Sequence, residues 1–443
     1  MSFLLVPHSV TSSSAVIWVA AINEAFDPAT AVLHGNGETH PFDQGVVWTS
    51  RNGTYTAQHQ SITLQDLQSR RLYELELQVQ NMVVAHGSVT TLPDHLPTVG
   101  EPPFTVLLGS CFCRLQDEAG NVGNTFSGLP VGQRPELKIF CGDQVYLDAQ
   151  LNLPSRWPWP HTTSELEALF FENYLETWTQ GGSPEGFRAL LRQGANYFIS
   201  DDHEFWNNAP NFAPLIPETW SEQGKREWKK VALSLFRLFQ TSTSTAQLSV
   251  GSLSFLLIDT RINRDADERN FMARDDGKTL KDWVQGLTAP GVLVLGQPLF
   301  AEQRGLLGHA IDWGLPDYRQ YANLARILTA SQKSILILTG DIHCSRIAHC
   351  RLPSQAELVE VISSPLALVD QSVGGQRRQA PPRFPSFAIP GIGGMSVTTE
   401  FCEADNHFLT LEFAAQGNEI QVRIFYWPVS GGNAREIFQC KLQ

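Results

Sequence analysis

The 443-residue sequence has no run approaching the roughly 20 apolar residues of a helical membrane span, which excludes that class of membrane protein. Its amino terminus, MSFLLVPHSV, lacks a basic start, a long apolar stretch and a small-residue cleavage site, so no secretory signal is read there. A cytoplasmic protein, or a mature form that has lost its leader, is the expectation. Cysteine is sparse and odd in number: the seven scattered residues fit reduced thiols rather than a disulfide framework. Positive charge is also short, with 32 Lys and Arg against 45 Asp and Glu and a formal net charge of -13. That balance argues against general binding to nucleic acid or anionic membrane, while leaving room for a local cationic pocket for phosphate. No internal repeat and no long low-complexity tract interrupts the chain.

What is present is ordinary soluble-protein composition, 42% hydrophobic and 17% charged, in a chain long enough for two domains or one domain with large insertions. The 34 Gly and 26 Pro, with many short apolar runs, suggest a fold rich in strands and loops. Residues 1–95 carry short, partly alternating β-branched and aromatic runs (SAVIWVAA, TAVLHG, LYELELQV), the spacing of a small β-sandwich. PDHLPTVGEPP, residues 93–103, reads as a proline-rich linker. From residue 96 to 443 the character changes. FTVLLGS, LKIFCGD, NYFISDD, LSFLLIDT, VLVLGQ and SILILTGD are continuous apolar runs, as strands covered on both faces require, and helix-like segments such as SELEALFFENYLETWTQ lie between them. That alternation predicts a layered α/β domain, ending in a hairpin around QGNE.

The chemistry gathers where those apolar runs stop; at the end of one of them, Ile335 to Leu338, Gly340 is read as letting the chain turn sharply out of the sheet. VLLGSCF leaves Cys111 just past a strand, IFCGDQVYLD leaves Asp143 and Tyr146, YFISDDHEFWNN leaves Asp201, Asp202, His203, Glu204 and Asn207, and ILTGDIH leaves Asp341 and His343. In open α/β sheets ligands collect at the carboxyl ends of strands. Carboxylates and imidazole suit hard or borderline cations, and thiolate with phenolate additionally favours a strongly Lewis-acidic ion such as ferric iron. A carboxylate can bridge paired metals that clamp the two oxygens of a phosphoryl transfer. His203 is a sensible general acid for the leaving alcohol, because its ordinary pKa lies near operating pH. Arg261, at the end of LLIDTR, has the fork geometry to grip phosphate oxygens.

Taken in order, GSC, GDQVY, DDHEFWNN, LLIDTRINR and LTGDIH after a β-rich amino-terminal region resemble the alkaline phosphatase D (PhoD-like) branch of the calcineurin-like metallophosphoesterases over nearly the whole chain. The resemblance implies a four-layer α/β/β/α metallophosphoesterase domain preceded by a small fibronectin-like β-sandwich. It implies a site in which Cys111, Asp143 and Tyr146 hold Fe3+, Asp143, Asp202 and Asp341 help to hold one or more divalent ions, Ca2+ being the family's usual choice, and His343 ligates one of the two. Asn207 and Arg261 match positions that face the phosphate, and His203 is the expected acid. The expected activity is metal-dependent hydrolysis of a small-molecule phosphate ester, monoester or diester, by a metal-bound hydroxide. The missing twin-arginine leader departs from secreted members and puts a polymeric cell-envelope substrate in doubt.

Plainer readings apply elsewhere. Cys113, Cys141, Cys344 and Cys350 read as buried small hydrophobes, with Cys141 and Cys344 packed behind the site. Asp148 reads as a cap for the following segment, and Asp259 with Arg264 as an ordinary surface pair. The loops at 155–161 and 374–394 are long enough to suggest a pocket rim. Two rival functions are a hydrolase using Cys111 as a thiol nucleophile, and a non-catalytic binding protein on the same scaffold.

Overall fold

The computed structural model describes residues 2–23, 27–42, 45–117, 119–149, 159–179, 185–241, 243–304, 313–368, 378–429 and 431–443. The first eight strands are β1 (Ser2–Val10), β2 (Ala15–Ile22), β3 (Ala31–Gly35), β4 (Glu38–Pro41), β5 (Val46–Thr49), β6 (Thr56–Leu64), β7 (Leu72–Val79) and β8 (Met82–Thr90). They form two four-stranded sheets in the orders β1-β2-β6-β5 and β4-β3-β7-β8. Alternation explains their faces: in β7, Tyr73, Leu75, Leu77 and Val79 are buried while the intervening positions are at least partly exposed.

The next strands are β9 (Phe104–Gly109), β10 (Leu137–Cys141) and β11 (Ala195–Ile199), each buried along its whole length. β10 runs parallel to both β9 and β11. Helices α1 (Asn121–Ser127), α2 (Thr163–Thr179), α3 (Phe187–Leu191) and α4 (Glu222–Phe239) follow the chain around one outer face. The second sheet is built from β12 (Thr245–Val250), β13 (Leu253–Ile258), β14 (Gly291–Val294), β15 (Ile335–Thr339), β16 (Ser345–Arg351), β17 (Glu357–Ile362), β18 (Arg383–Phe384) and β19 (Met395–Glu403), with β13, β14, β15 and β17 parallel. Helices α5 (Arg274–Gly286) and α6 (Tyr321–Thr329) belong to its outer side. Finally β20 (His407–Gln416), β21 (Glu419–Pro428) and β22 (Arg435–Leu442) return to the first sheet, which reads β11-β10-β9-β20-β21-β22. β20 and β21 pair from His407↔Pro428 to Gln416↔Glu419, the hairpin expected around QGNE.

Three apolar clusters define the layers. Val106, Leu108 and Ile139 of the first sheet share one core with Leu257, Val294 and Leu338 of the second. Leu107, Phe140 and Phe198 face outward onto Phe170, Trp178 and Leu235 of α2 and α4. Leu256, Leu293 and Ile337 face outward onto Leu280 of α5 and Leu324 of α6. The order is helix, sheet, sheet, helix, and the central strands β9, β10, β11, β14 and β15 are buried throughout because each has a protein layer on both sides.

The sandwich sheets brace one edge of this assembly. Ser88 N donates to Arg192 O at 2.9 Å and Gly194 N to Ser88 O at 2.8 Å, tying β8 to the segment that enters β11. The Trp48 ring stacks on Phe171 of α2 at 4.9 Å and 3°. Of the expected rim loops, residues 155–158 and 374–377 lie outside the described residues. Of 155–161 only 159–161 are described, with Trp159 exposed and the His161 ring buried 2.7 Å from Glu218. Of 374–394, residues 378–394 are described and include β18.

Candidate metal centre

The parallel strands all end toward the same side, and the polar residues of interest lie just beyond them. Cys111 follows β9, Asp143 follows β10, Asp202 and His203 follow β11, and Asp341 and His343 follow β15 of the facing sheet. Two glycines allow these ends to converge. Gly340 is not in the left-handed region, so it is not the point at which the chain turns sharply; its role is close approach. A Cβ there would lie 2.5 Å from both Cys141 O and Ser110 Oγ. Gly142 has φ +87°, and its Cβ would meet Asp201 at 2.4 Å. The turning is done by the functional residues themselves. Cys111 (φ 57°), Asp143 (58°), Asp341 (73°) and His343 (51°) all adopt left-handed backbone. Such conformations cost about 1–3 kcal/mol each and cluster at functional sites.

The side chains then meet. Three overlapping sets have donor atoms within 4.8 Å of one another: Cys111, Asp143 and His343; Asp143, Asp202 and His203; and Asp143, Asp201, Asp202 and Asp341. Asp143 is common to all three. The Cys111 thiol donates to Asp143 Oδ2 at 3.3 Å and accepts from Ser364 Oγ at 3.3 Å. Tyr146 lies against His203, ring centroids 4.2 Å apart, and its buried hydroxyl has no hydrogen-bond partner among the described residues. Asp202 Oδ2 accepts from Asn208 N at 2.5 Å. His343 N donates to Ser364 Oγ at 3.0 Å. Of the sequence-predicted residues, Cys111, Asp143, Asp202, His203, Asp341 and His343 are thus brought together, and Tyr146 borders them.

The electrostatics of the cluster suits a cation. Burial, then the nearby Asp202 and Asp201 carboxylates, hold Asp143 well above the usual carboxylate range despite the opposing pull of His203. Burial and the Asp143 charge push the Cys111 thiol up, and burial likewise raises the Tyr146 phenol. Burial and neighbouring His203 lower His343 to about 4, which leaves its imidazole neutral as a ligand must be. A bound cation reverses this logic by favouring carboxylate, thiolate and phenolate together. The donor set therefore fits metal.

Several expectations are corrected. Arg261 does not face a phosphate-accessible surface. It is 2% exposed, with Nε 2.8 Å and Nη2 2.7 Å from Asp201 Oδ1, and Nη1 donates to Ala209 O at 2.7 Å. Its guanidinium is occupied in holding Asp201, because a buried carboxylate needs a partner more than the surface needs another cation. Asp259 and Arg264 are not a surface pair. Both are buried; Asp259 accepts from Ser200, Arg261 and Ile262 amides, and Arg264 Nη2 donates to Gln297 Oε1 at 2.7 Å.

Asp148 is the main residue missed. Its Oδ1 lies 2.7 Å from His203 Nδ1 and its Oδ2 accepts from Asn207 N at 2.7 Å, so one carboxylate orients both the imidazole and the exposed Asn207. It sits two residues after Tyr146, and that adjacency was the available signal. The charges of Asp148 and Asp202 outweigh burial and hold His203 well above its usual value. Glu204 is the second omission: buried, it accepts from the amides of Asp143 (2.8 Å), Gln144 (2.6 Å) and Asp201 (2.8 Å), which ties the ends of β10 and β11 together.

No family model matches the sequence, and no curated protein matches it. Among solved structures the chain is similar to a structure of PhoD, at 14% identity and a TM-score of 0.62, over 98% of this chain and 91% of that one. A glycosyl hydrolase family 2 member from Bacteroides cellulosilyticus reaches a TM-score of only 0.22 at 11% identity, over 100% of this chain and 63% of that one. With two facing sheets flanked by helices and a β-sandwich before them, the chain has a PhoD-like fold.

Proposed function

We propose that the protein is a metal-dependent phosphoric ester hydrolase acting on small phosphate monoesters, diesters or both. The observation that carries this reading is the convergence of Cys111, Asp143, Asp202, Asp341 and His343 from four strand ends onto overlapping donor sets that share Asp143, in a PhoD-like fold. Cys111, Asp143 and Tyr146 form the set suited to Fe3+; Asp143, Asp202 and Asp341 form the oxygen-rich set suited to Ca2+ or another divalent ion, with His343 completing one of them. Metal ions held there would supply Lewis acidity toward a phosphoryl oxygen and toward water.

The chain's own residues supply the rest. Asp148 accepts a hydrogen bond from Nδ1–H of His203, which fixes the ring and leaves Nε2–H to supply the proton for a departing alkoxide. Exposed Asn207, pinned at its amide by the same carboxylate, offers its side chain to a non-bridging phosphate oxygen. Asp201, Arg261 and Glu204 hold these groups in place rather than touching substrate. The sandwich of residues 1–95 acts as a brace for residues 96–443. Neither nucleic acid nor a membrane is expected as a partner; among the described residues no helix is long and apolar enough to cross a membrane.

Cys111 as a thiol nucleophile is disfavoured by its surroundings: it is 0% exposed, its thiol is pushed up, and among the described residues its hydrogen bonds run to Asp143, Ser364, Ser110 and Asp341 O rather than to an imidazole base. The test is a screen of metal-replete protein on p-nitrophenyl phosphate and bis(p-nitrophenyl) phosphate, with Asp143→Ala as control. Hydrolysis lost in the control supports the reading; no hydrolysis of either ester, with metal shown to be bound, refutes it and favours a binding protein.

A further inference from the structure

The turn that carries Asp341 and His343 ends at Cys344, and Cys344 does not pack as an inert hydrophobe. Its Sγ lies 3.1 Å from Cys402 Sγ of β19, about 1 Å beyond the ~2.05 Å of a disulfide bond. The strand register shows how they meet. β16 and β19 pair as Ser345↔Glu403 and Arg346↔Cys402, so Cys344 lies diagonally from Cys402 on the same face. Regular diagonal partners have Cα atoms about 7–8 Å apart, slightly beyond ordinary disulfide reach. Here the left-handed turn through His343, φ 51°, leads into Cys344, and the two sulfurs are in contact. They share a small apolar cluster with Ile342, Ile362 and Ala404, apart from the larger cores. Cys344 is buried, whereas Cys402 is partly exposed and can be reached from outside.

We propose that Cys344 and Cys402 form a reversible disulfide that clamps the Asp341–Cys344 turn to β19. The oxidant is a small-molecule disulfide such as glutathione disulfide. Cys402, as thiolate, attacks one sulfur of that disulfide; its S–S bond breaks, a mixed disulfide forms and one glutathione thiolate leaves. Cys344, giving up its proton, then attacks Cys402 Sγ, forming the internal bond and expelling the second glutathione thiolate. Two cysteine thiols are oxidised, one external disulfide is reduced, and the two protons pass to the released thiolates. A free Cys344 lets the turn open by local fluctuation, and the cross-link removes that freedom. The inference concerns the turn alone and holds whatever chemistry the adjoining site performs.

The full chain is incubated with glutathione disulfide, digested without reduction and analysed by mass spectrometry, alongside Cys402→Ser and Cys344→Ser variants. The expected result is a peptide pair linked through Cys344 and Cys402, absent from both variants and reversed by dithiothreitol. Amide hydrogen exchange is read on the same samples, with about tenfold slower exchange expected in the peptide spanning 341–346 after oxidation. Glutathione remaining on Cys402 without resolution to Cys344, or a link to another cysteine instead, overturns the assignment. A Cys344–Cys402 link with unchanged exchange in that peptide overturns the clamp.

Discussion

Replacing Asp148 with Asn tests whether His203 is an acid oriented by its neighbour or a bystander. The substitution keeps the side-chain size and leaves an oxygen for the Asn207 amide, but it removes the negative charge 2.7 Å from His203 Nδ1. Both side chains are largely shielded, 18% exposed for His203 and 8% for Asp148, so the hydrogen bond is not fully screened by water. A hydrogen bond to a charged group contributes about 1.5–3 kcal/mol. If that energy supports the protonated, correctly turned imidazole, its loss costs roughly 10- to 150-fold in rate. The cost depends on the leaving group: an alkyl phosphate needs a proton on its departing oxygen, and p-nitrophenolate leaves with little help. The assay is kcat/KM for both ester types, with bound metal measured in the same preparations. The expected result is a large loss on the alkyl ester and a much smaller loss on the aryl ester at equal metal content. Equal losses on the two esters, or a loss that follows metal content alone, would refute the assignment of His203 as acid.

Three further outcomes are expected. Arg261→Gln takes the guanidinium partner from the buried Asp201 carboxylate and destabilises by about 3–5 kcal/mol, seen as a lower denaturation midpoint; unchanged stability with a raised KM would instead place Arg261 on the phosphate. Burial raises Glu136 to about 7 against an ordinary 4.5, so the folded state binds the extra proton; its contribution is complete below about pH 4.5 and is lost as pH rises through about 7. That interval corresponds to roughly 3 kcal/mol, and Glu136→Gln should flatten the stability profile between those pH values in chemical denaturation; an unaltered profile would contradict it. Chelation should lower the thermal midpoint, because Asp143 and its neighbouring carboxylates then repel one another; restoring metal at 100 times its Kd should return about 2.7 kcal/mol, and a midpoint indifferent to metal would count against a resident ion.

Much of the candidate site was legible because it lies where regular structure stops. Strands buried on both faces are forced to be apolar, so a Cys, Asp or His immediately after one stands out from its surroundings. LLGSC, FCGD, ISDDH and LTGDIH were readable for that reason, as were the sandwich alternation of β7 and the final hairpin. Partner choice was less legible. Asp148 meets His203 across 55 residues of chain, and Arg261 meets Asp201 across 60. Nothing local to YLD distinguishes a carboxylate that caps a turn from one that orients an imidazole. Nothing local to LLIDTR distinguishes an arginine that faces phosphate from one that neutralises a buried acid.

The sequence by itself determined the layered α/β class, the strand ends and the donor types there, because burial and backbone periodicity act on neighbouring residues. The tertiary structure alone decided which donors share a point in space, that Gly340 serves close approach rather than turning, and that Arg261 is withdrawn behind the site. It also decided that Cys344 faces Cys402. Those outcomes depend on how two separate sheets face each other, and on the high cost of leaving a buried charge or polar group without a partner, which is settled only when distant segments have packed.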